Sequence, residues 1–344
     1  MSRLRIVFWL FCLNHFSHWD GSTSMRNAYA QFYHILSVCG RMKEKGAVTE
    51  NYCSGMNGGK DKMLLGGTVA GAYTGPEEWE QRLIRSRFKA VTAPFNMYTP
   101  RKETEAYLSA CDRQGVMIAE IGVWKNPFDP NPAAAAEALA YAEGQLALAD
   151  ELGIACCVNI AGTDSKAGWD AADPSNFADE TYERIIRCVR EILDRVSPKR
   201  AFYCLEPMPW MIPDSPENYL QLIRDVDRPQ FAAHMDFVNM INCPRRYLAA
   251  EKFIEECFGE LAPFIKSTHI KDSRMHPTRL TTILEECSPG EGTLDFAKIL
   301  KMLDEKLPAD APVLLEHMTT FEEYEKAYDY LAKIAEENGI SIGG

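Results

Sequence analysis

The sequence predicts a single-domain (β/α)8 TIM barrel, an α/β fold, over residues 63–344. Eight short apolar runs alternate there with amphipathic helical stretches, a pattern typical of βα units around a parallel sheet. The eight units occupy about 280 residues, close to the roughly 250 residues of a typical barrel of this kind. No GxGxxG motif follows the first apolar run, which counts against a doubly wound dinucleotide-binding sheet.

Each predicted strand is a short apolar run bounded by residues that favour turns. The runs cover residues 65–73, 90–95, 116–124, 154–161, 201–206, 231–237, 265–271 and 312–316.

The connecting segments carry the periodicity of amphipathic helices, most clearly in residues 133–152, 179–196, 215–226 and 320–339. Asp214 or Ser215 is the expected N-cap of the third of these helices, with Pro216 in its first turn. The last helix is expected to end on Gly339 as a C-cap.

Residues 1–62 lack this alternation. Two arginines and an apolar run over residues 6–13 imitate a secretory leader, but no small-residue cleavage site follows and the run is too short to span a bilayer. Gly58, Gly59 and Lys60 can be encoded by a purine-rich ribosome-binding sequence shortly before the codon of Met63. We therefore interpret residues 1–62 as a non-native or disordered N-terminal extension; a true leader and a folded extension are the alternatives.

This interpretation predicts that residues 63–344 fold without the preceding segment, because the barrel closes within them. A chain that begins at Met63 should be expressed in soluble form with the circular dichroism spectrum and activity of the full chain. Loss of soluble expression would instead show that residues 1–62 are a structural part of the protein.

The amino-acid composition of the chain limits the kinds of molecule that it is expected to bind. The chain is 46% hydrophobic and 25% charged with a net charge of −12, and it has no cluster of Lys and Arg that could neutralise nucleic-acid phosphates. Its eleven cysteines form no CxxC pair, and several lie in apolar runs, as expected in a reducing compartment. We expect a cytoplasmic protein without nucleic-acid or membrane partners; a homo-oligomer is compatible with the sequence.

The segment FAAHMDFVNMIN, residues 231–242, places charge in a strand that should be buried. Side chains alternate along a strand, so His234 and Asp236 point to the same face. An uncompensated buried carboxylate costs several kcal/mol, so Asp236 requires a cation or a dense set of hydrogen bonds. His234 lies one layer deeper, where we expect it to hold Asp236 or Glu206 by a hydrogen bond.

Three further strand ends carry polar residues out of keeping with their apolar runs: Glu206 in FYCLEPMPW, His269 in KSTHIKDS and Glu316 in PVLLEHM. One acidic residue at a strand end is more often a helix cap or a salt-bridge partner. With Asp236 these residues end strands five to eight in succession, and such strands form one arc of a barrel. Three carboxylates and one imidazole suit Mn²⁺ or Mg²⁺, with Co²⁺ or Zn²⁺ as alternatives. His317 should point away from Glu316.

The motifs LEPMPW, HMDFVNMIN, THIKDS, PGEGTLDF and LLEHM, in this order, resemble the xylose isomerase-like TIM barrels. The resemblance covers residues 63–344 and is strongest to the sugar isomerase/epimerase branch, which includes ketohexose 3-epimerases, inosose isomerases and hydroxypyruvate isomerases. It implies one metal held by Glu206, Asp236, His269 and Glu316, and from these ligand types we expect Mn²⁺. It also implies that Glu206 and Glu316 move the proton.

The sequence departs from the epimerase pattern at one position, and another class of enzymes with the same fold is an alternative. The epimerases place a substrate-contacting histidine three residues after the aspartate, where this chain has Asn239, which can hydrogen-bond but cannot titrate. The fold also includes apurinic-site endonucleases with three zinc ions, which need histidines on earlier strands. Residues 63–206 contain no histidine, so a trinuclear site cannot be assembled there.

The implied activity is proton abstraction next to a carbonyl through a metal-bound enediolate, the common first step of isomerisation, epimerisation and β-elimination. We expect Glu120, Trp124, Asn126, Trp210 and Lys271 around a small-molecule sugar. Lys271 could neutralise an oxyanion or pair with Asp272 or Glu316, and the tryptophans could stack on a sugar or pack at the rim. The loop SPGEGTLDF has no adjoining basic residue, which favours a sugar without phosphate.

Two other functions fit the same residues. The apolar segment EPMPWMIP could accept a flat hydrophobic group, as in a metal-dependent lyase that cleaves an oxidised (3-oxo) glycoside by elimination. A non-catalytic barrel that binds a sugar is the alternative from another class.

Overall fold

The structure, a computed structural model, describes residues 63–343, so the interpretation of residues 1–62 lies outside the described part of the chain. Eight parallel strands close into the predicted barrel, in the order β1-β10-β7-β6-β5-β4-β3-β2. They are β1 Leu64–Gly67, β2 Ala90–Thr92, β3 Met117–Gly122, β4 Cys156–Asn159, β5 Phe202–Leu205, β6 Phe231–Asp236, β7 Ile265–Ile270 and β10 Pro312–Leu315. The fold class predicted from the sequence is therefore confirmed.

The barrel closes where the first and last strands meet. Leu64 lies opposite Pro312 and Gly67 lies opposite Leu315 in a parallel register. Gly66 is required on β1 because a Cβ there would overlap the carbonyl group of Ala90 on β2, the other neighbour of β1.

Helices cover the outside of the barrel and bury its outward-facing side chains. The helices are α1 Pro76–Ser86, α2 Arg101–Gln114, α3 Pro132–Leu152, α4 Asp179–Val196, α5 Pro216–Val226, α6 Phe237–Met240, α7 Pro244–Leu248, α8 Ala250–Leu261, α9 Phe296–Lys306 and α10 Phe321–Glu337. Leu146 of α3, Ile192 of α4 and Leu331 of α10 are fully buried in the resulting core. No helix among residues 63–343 is long and apolar enough to cross a membrane.

The ends of two helices show how the local sequence sets their bounds. Ser215, rather than Asp214, is the N-cap of α5, and its side chain exchanges hydrogen bonds with Asn218 in a capping box. The last helix ends at Glu337, and Gly339 takes a left-handed φ of 67° just beyond it.

Every barrel strand is shorter than its predicted run, and the structure differs most from the sequence prediction at two places. The first strand ends at Gly67, well before residue 73, and the chain turns at Gly71, whose φ is 90°. An antiparallel hairpin, β8 Asp272–Met275 with β9 Leu284–Cys287, was not predicted. Its charged sequences DSRM and LEEC lack the apolar alternation by which strands are recognised.

Tyr219 of α5 joins the two strands that carry Glu206 and Asp236. Its fully buried hydroxyl accepts hydrogen bonds from the backbone N–H groups of Leu205 and His234, both at 3.2 Å. The same hydroxyl is within hydrogen-bond distance of the Leu205 and Ala232 carbonyl oxygens. It therefore satisfies buried polar groups of β5 and β6 that water cannot reach.

We predict that Tyr219→Phe lowers the free energy of unfolding by about 1–3 kcal/mol, because it leaves these backbone groups unpaired in the core. Urea denaturation monitored by circular dichroism measures the change. Tyr98→Phe is the matched control, since Tyr98 is 70% exposed and should tolerate the loss of its hydroxyl. Equal stability of the two variants would contradict the role assigned to Tyr219.

Candidate metal centre

Four side chains converge at the carboxyl ends of neighbouring strands. Glu206 follows β5, Asp236 ends β6, His269 lies near the end of β7, and Glu316 follows β10. One ligand atom from each lies within 4.8 Å of the others, and all four side chains are largely buried. We call these residues the four-residue cluster. The barrel order β5-β6-β7-β10 explains their convergence, because no other strand lies between them.

Each member of the cluster has one polar atom held by the protein and one directed at the others. Asn239 donates from its backbone to Asp236 Oδ1 at 2.9 Å and from its side chain to Glu206 Oε1 at 3.1 Å. The remaining atoms Glu206 Oε2, Asp236 Oδ2 and His269 Nδ1 are buried; Glu206 Oε2 has no hydrogen-bond partner, and Asp236 Oδ2 lies 2.7 Å from Lys271 Nζ. Glu316 Oε1 lies 3.0 Å from His269 Nδ1. Such a set of converging acceptors suits a divalent cation.

Glu120 of β3 reaches across the barrel interior to orient His269. Its Oε1 lies 3.0 Å from His269 Nε2. Its Oε2 accepts a hydrogen bond from Ser267 Oγ at 2.6 Å and lies 3.2 Å from His234 Nε2. Because a carboxylate only accepts, Nε2 of His269 carries a proton, and Nδ1 is the atom left to bind a metal.

Lys271 is a buried cation beside the cluster. It is 1% exposed, and its Nζ lies 2.7 Å from Asp236 Oδ2, donates to Glu316 Oε2 at 2.8 Å, and lies 3.2 Å from Glu286 Oε2. Of the two alternatives left open by the sequence, the pairing with Glu316 is present. Asp272 instead accepts hydrogen bonds from the backbone of residues 290–294.

Burial and neighbouring charges move the pKa values of the cluster in different directions. Burial, with the charge of Glu316, raises the pKa of Glu206 well above its usual value. Burial would also raise the pKa of Glu316, but the positive charges of His269 and Lys271 outweigh it and lower that pKa well below its usual value. Burial lowers the pKa of His269, whereas the charges of Glu316 and Glu120 raise it more. A metal would therefore displace a proton from His269.

A cavity of about 560 Å³ opens above the cluster. Glu206, Glu316 and Asn239 lie on its lining, as do Trp124 and Trp210, which the sequence analysis placed around a substrate. The hairpin β8–β9 contributes Glu286, which accepts from His317 at the cavity wall, where Nδ1 lies 2.9 Å from Glu286 Oε1. The floor of this cavity is thus polar and its rim is largely aromatic.

Two of the sequence expectations about position require correction, whereas the expected place of Glu120 beside a substrate stays a prediction. Glu120 is 1% exposed and both its oxygens have partners, but with His269 and Glu316 it lines a second cavity of about 580 Å³. His234 is buried as expected but contacts Glu120, not Asp236 or Glu206. His317 turns toward Glu316, 3.3 Å away, because its left-handed φ of 57° breaks the strand alternation.

Other residues at the site escaped the sequence analysis. Ser267 lies two residues before His269 on the same strand face, so strand periodicity alone could have identified it. Glu286 lies on the hairpin β8–β9, and Trp169 lies on a loop. The sequence does not predict the path of either segment. Asn126, which the sequence analysis did name, is 5% exposed and donates to the Thr163 carbonyl at 2.7 Å, so it anchors a loop.

The glycine-rich loop SPGEGTLDF is not arranged as a phosphate cradle. The backbone N–H groups of Gly290, Gly292 and Leu294 donate to the carboxylate of Asp272, at 3.2, 3.0 and 3.1 Å. Since an anion would have to displace this carboxylate, the loop gives no support to phosphate binding.

The fold corresponds to a known family of barrels. Residues 81–334 match the family model described as xylose isomerase-like TIM barrel, so the chain belongs to that family. No curated protein matches the chain significantly in sequence.

Solved structures of low sequence identity share the fold. A xylose isomerase-like TIM barrel protein from Mycobacterium smegmatis in complex with magnesium has a TM-score of 0.60 at 14% identity, over 82% of this chain and 99% of that one. The 3-keto-D-glucoside 4-epimerase from E. coli has a TM-score of 0.60 at 15% identity, over 79% and 100% of the two chains. A D-tagatose 3-epimerase-like protein has a TM-score of 0.60 at 17% identity, over 80% and 98%.

We predict that Asp236→Asn lowers the affinity for Mn²⁺ by at least about tenfold, because a neutral oxygen replaces an anionic ligand. The amide oxygen can still accept from Asn239, so the local geometry is kept. Isothermal titration of the metal-free protein measures the affinity, with exposed Asp304 changed to Asn as the matched control. Unchanged affinity in Asp236→Asn would remove this residue from the metal centre.

Proposed function

We propose that the protein is a divalent-metal-dependent sugar isomerase or epimerase that removes and returns a proton next to a carbonyl group. The observation that carries this proposal is the convergence of ligand atoms from Glu206, Asp236, His269 and Glu316 within 4.8 Å of one another, where Lys271 is the one lysine of the described residues that pairs with any of the three carboxylates. Buried carboxylates in excess of their cations are costly, so such a group supports a bound cation.

Glu206, Asp236, His269 and Glu316 would hold one metal ion, with Mn²⁺ as the best match to three carboxylates and an imidazole. Mg²⁺, Co²⁺ and Zn²⁺ are alternatives, and the similar barrel from M. smegmatis is described in complex with magnesium. The cation would stabilise the negative charge that develops on the substrate oxygens when the proton leaves. Glu120 would keep the Nδ1 atom of His269 directed at the metal.

Glu206 and Glu316 are proposed as the pair that moves the proton. They follow β5 and β10, at the two ends of the arc β5-β6-β7-β10, so they approach a substrate from different sides. A carboxylate on each side of a planar intermediate can remove a proton from one face and return it to the other. Asn239 would fix the Glu206 carboxylate through its bond to Oε1.

The proposed substrate is a ketose or related polyol ketone without phosphate. The described residues that line the cavity include no Lys or Arg, and Lys271 is buried against Asp236 and Glu316. Lys271 is positioned to balance charge on the carboxylates, and we propose that it also lowers the cost of an oxyanion nearby. A sugar epimerase and an epimerase-like protein share this fold, which supports the reaction class.

A second candidate reaction is elimination from a 3-oxo glycoside after the same proton abstraction. The apolar side chains of Met208 and Trp210 at the cavity mouth favour it, since they can accept a hydrophobic leaving group. A non-catalytic sugar-binding barrel is the remaining alternative, and it is favoured if the protein purifies without stoichiometric metal and gains no activity when metal is added. The eight cysteines of the described residues are free, which supports the proposal of a cytoplasmic protein.

Solvent deuterium incorporation tests the proposed first step. Metal-loaded protein in D₂O should exchange a carbon-bound hydrogen of at least one member of a panel of ketoses, inososes and 3-oxo-glycosides. Product analysis of the same samples separates epimerisation, isomerisation and elimination.

We predict that Glu206→Gln and Glu316→Gln each lower turnover by roughly 10²-fold or more, because an amide remains a metal ligand but is not a base. Metal content and turnover are measured on the same preparations. In an epimerase, one of the two variants should still exchange substrate hydrogen with solvent while it forms no product. A variant that binds metal and turns over at the wild-type rate would show that its glutamate is structural.

A further inference from the structure

Four tryptophans lie in the part of the chain that the structure describes, and three of them line one cavity. Trp79 is 1% exposed in the core, whereas Trp124, Trp169 and Trp210 are 38%, 44% and 37% exposed. All three line the cavity above the four-residue cluster. Because each exposes a large apolar ring to water, their grouping at one site indicates a ligand with an apolar face.

The ring of Trp210 is fixed in place by hydrogen bonds at both ends of the residue. Its Nε1 donates to the Asp170 carbonyl at 2.7 Å, and its own carbonyl accepts from Asn176 Nδ2 at 3.0 Å. Asn176 is 1% exposed and accepts in turn from Thr163 Oγ1 at 2.8 Å. Asp170 immediately follows Trp169, so this bond also ties the loop of Trp169 to Trp210. The Trp210 ring and the backbone next to Trp169 are therefore held before any ligand arrives.

Trp124 is held by a different constraint. Trp124 lies in the loop that follows β3, two residues after Gly122. Its backbone has a left-handed φ of 49°, a costly conformation for a bulky residue. Gly122 makes room for its ring, because a Cβ on Gly122 would overlap Trp124 Nε1. The strained backbone of Trp124 and the glycine at position 122 together place this ring at the rim.

The charge of the cavity rim argues for a neutral ligand. Asp170, Glu285 and Glu286 line it, and the described lining residues include no Lys or Arg. His317 is the one basic side chain on the described lining, and it is already paired with Glu286 and Glu316, so a phosphorylated ligand would meet acidic side chains without a further cation to balance it. A neutral ring can use the carboxylates as hydrogen-bond acceptors for its hydroxyl groups and the tryptophans for its apolar face.

The cavity is also larger than one sugar ring requires. Its volume of about 560 Å³ lies within the roughly 300–1,000 Å³ of cavities that enclose drug-sized ligands. A reacting ring at the four-residue cluster occupies the floor and leaves the tryptophan-lined rim free.

We propose that the rim is a subsite for a second ring, so that, among the ketoses and polyol ketones of the proposed function, the substrate is one whose reacting ring carries a glycosidic substituent. The reacting ring lies at the cluster, and the second ring, an aryl group or a sugar, lies against Trp169 and Trp210. The assignment of the reacting ring rests on the proposed function, whereas the subsite itself rests on the tryptophans and the charge of the rim.

Direct binding tests the subsite without depending on turnover. Isothermal titration of Mn²⁺-loaded full-length protein compares methyl 3-oxo-glucopyranoside with its phenyl analogue and with 3-oxo-cellobiose. We expect the phenyl ligand, the cellobiose ligand or both to bind at least about tenfold more tightly than the methyl ligand. Comparison of the phenyl ligand with the cellobiose ligand shows whether the subsite prefers an aryl group or a sugar.

The variants Trp169→Ala and Trp210→Ala should abolish this preference, because they remove the rings against which the second ring would lie. Phe177→Ala is the matched control, since Phe177 is 50% exposed but does not line the cavity. Thermal unfolding of each variant verifies that the fold is intact. Equal affinity for all three ligands, a preference that survives both tryptophan variants, or no binding of the larger ligands would overturn the subsite.

Deuterium exchange on the methyl ligand separates this proposal from the proposed function. Exchange without a preference for larger ligands would support proton abstraction and reject the subsite. A tryptophan-dependent preference without exchange on any ligand would support the subsite and reject the proposed chemistry.

Discussion

Buried negative charge at the mouth of the barrel is the constraint on which the site depends. Glu120, Glu206 and Asp236 are at most 3% exposed, and the side chain of Glu316 is 14% exposed. Lys271 is the one lysine within ion-pair distance of these carboxylates among residues 63–343. An uncompensated buried carboxylate costs several kcal/mol, so the excess of anionic groups requires protonated histidines or a bound cation. The arrangement of the surrounding groups follows from this requirement.

The hydrogen bonds around the four-residue cluster hold its side chains in place and leave ligand atoms facing one another. Asn239 occupies one oxygen of Asp236 and one of Glu206, and Glu120 occupies one nitrogen of His269. Tyr219 satisfies the backbone of β5 and β6 directly beneath. Because these partners fix the orientation of each side chain, the remaining atoms are held in place for a ligand rather than free to collapse onto one another.

Floor and rim of the cavity are built by different parts of the fold. Barrel strands carry the cluster, and their hydrogen-bonded register fixes its geometry. Loops and the hairpin β8–β9 carry Trp169, Trp210 and Glu286. This division is typical of barrels in which strand ends supply the common chemistry and loops select the substrate. It explains why the first chemical step is easier to propose than the identity of the sugar.

The sequence by itself determined the barrel and the four strand ends at which the cluster lies. Strand and helix periods are local properties of the chain, and charged residues at the ends of apolar runs stand out without any knowledge of contacts. Asp236 and His269 could therefore be named from the motifs that contain them. The resemblance of those motifs to a family supplied the proposed roles of Glu206 and Glu316.

Only the tertiary structure decided which groups support the cluster and which face the cavity. Glu120 meets His269 across 149 positions of sequence, and His317 turns inward through a backbone conformation that no period describes. The hairpin that brings Glu286 to Lys271 has a charged sequence without strand alternation. Such contacts depend on the closure of the barrel and on loop conformation, which are set by interactions between distant residues rather than by local sequence.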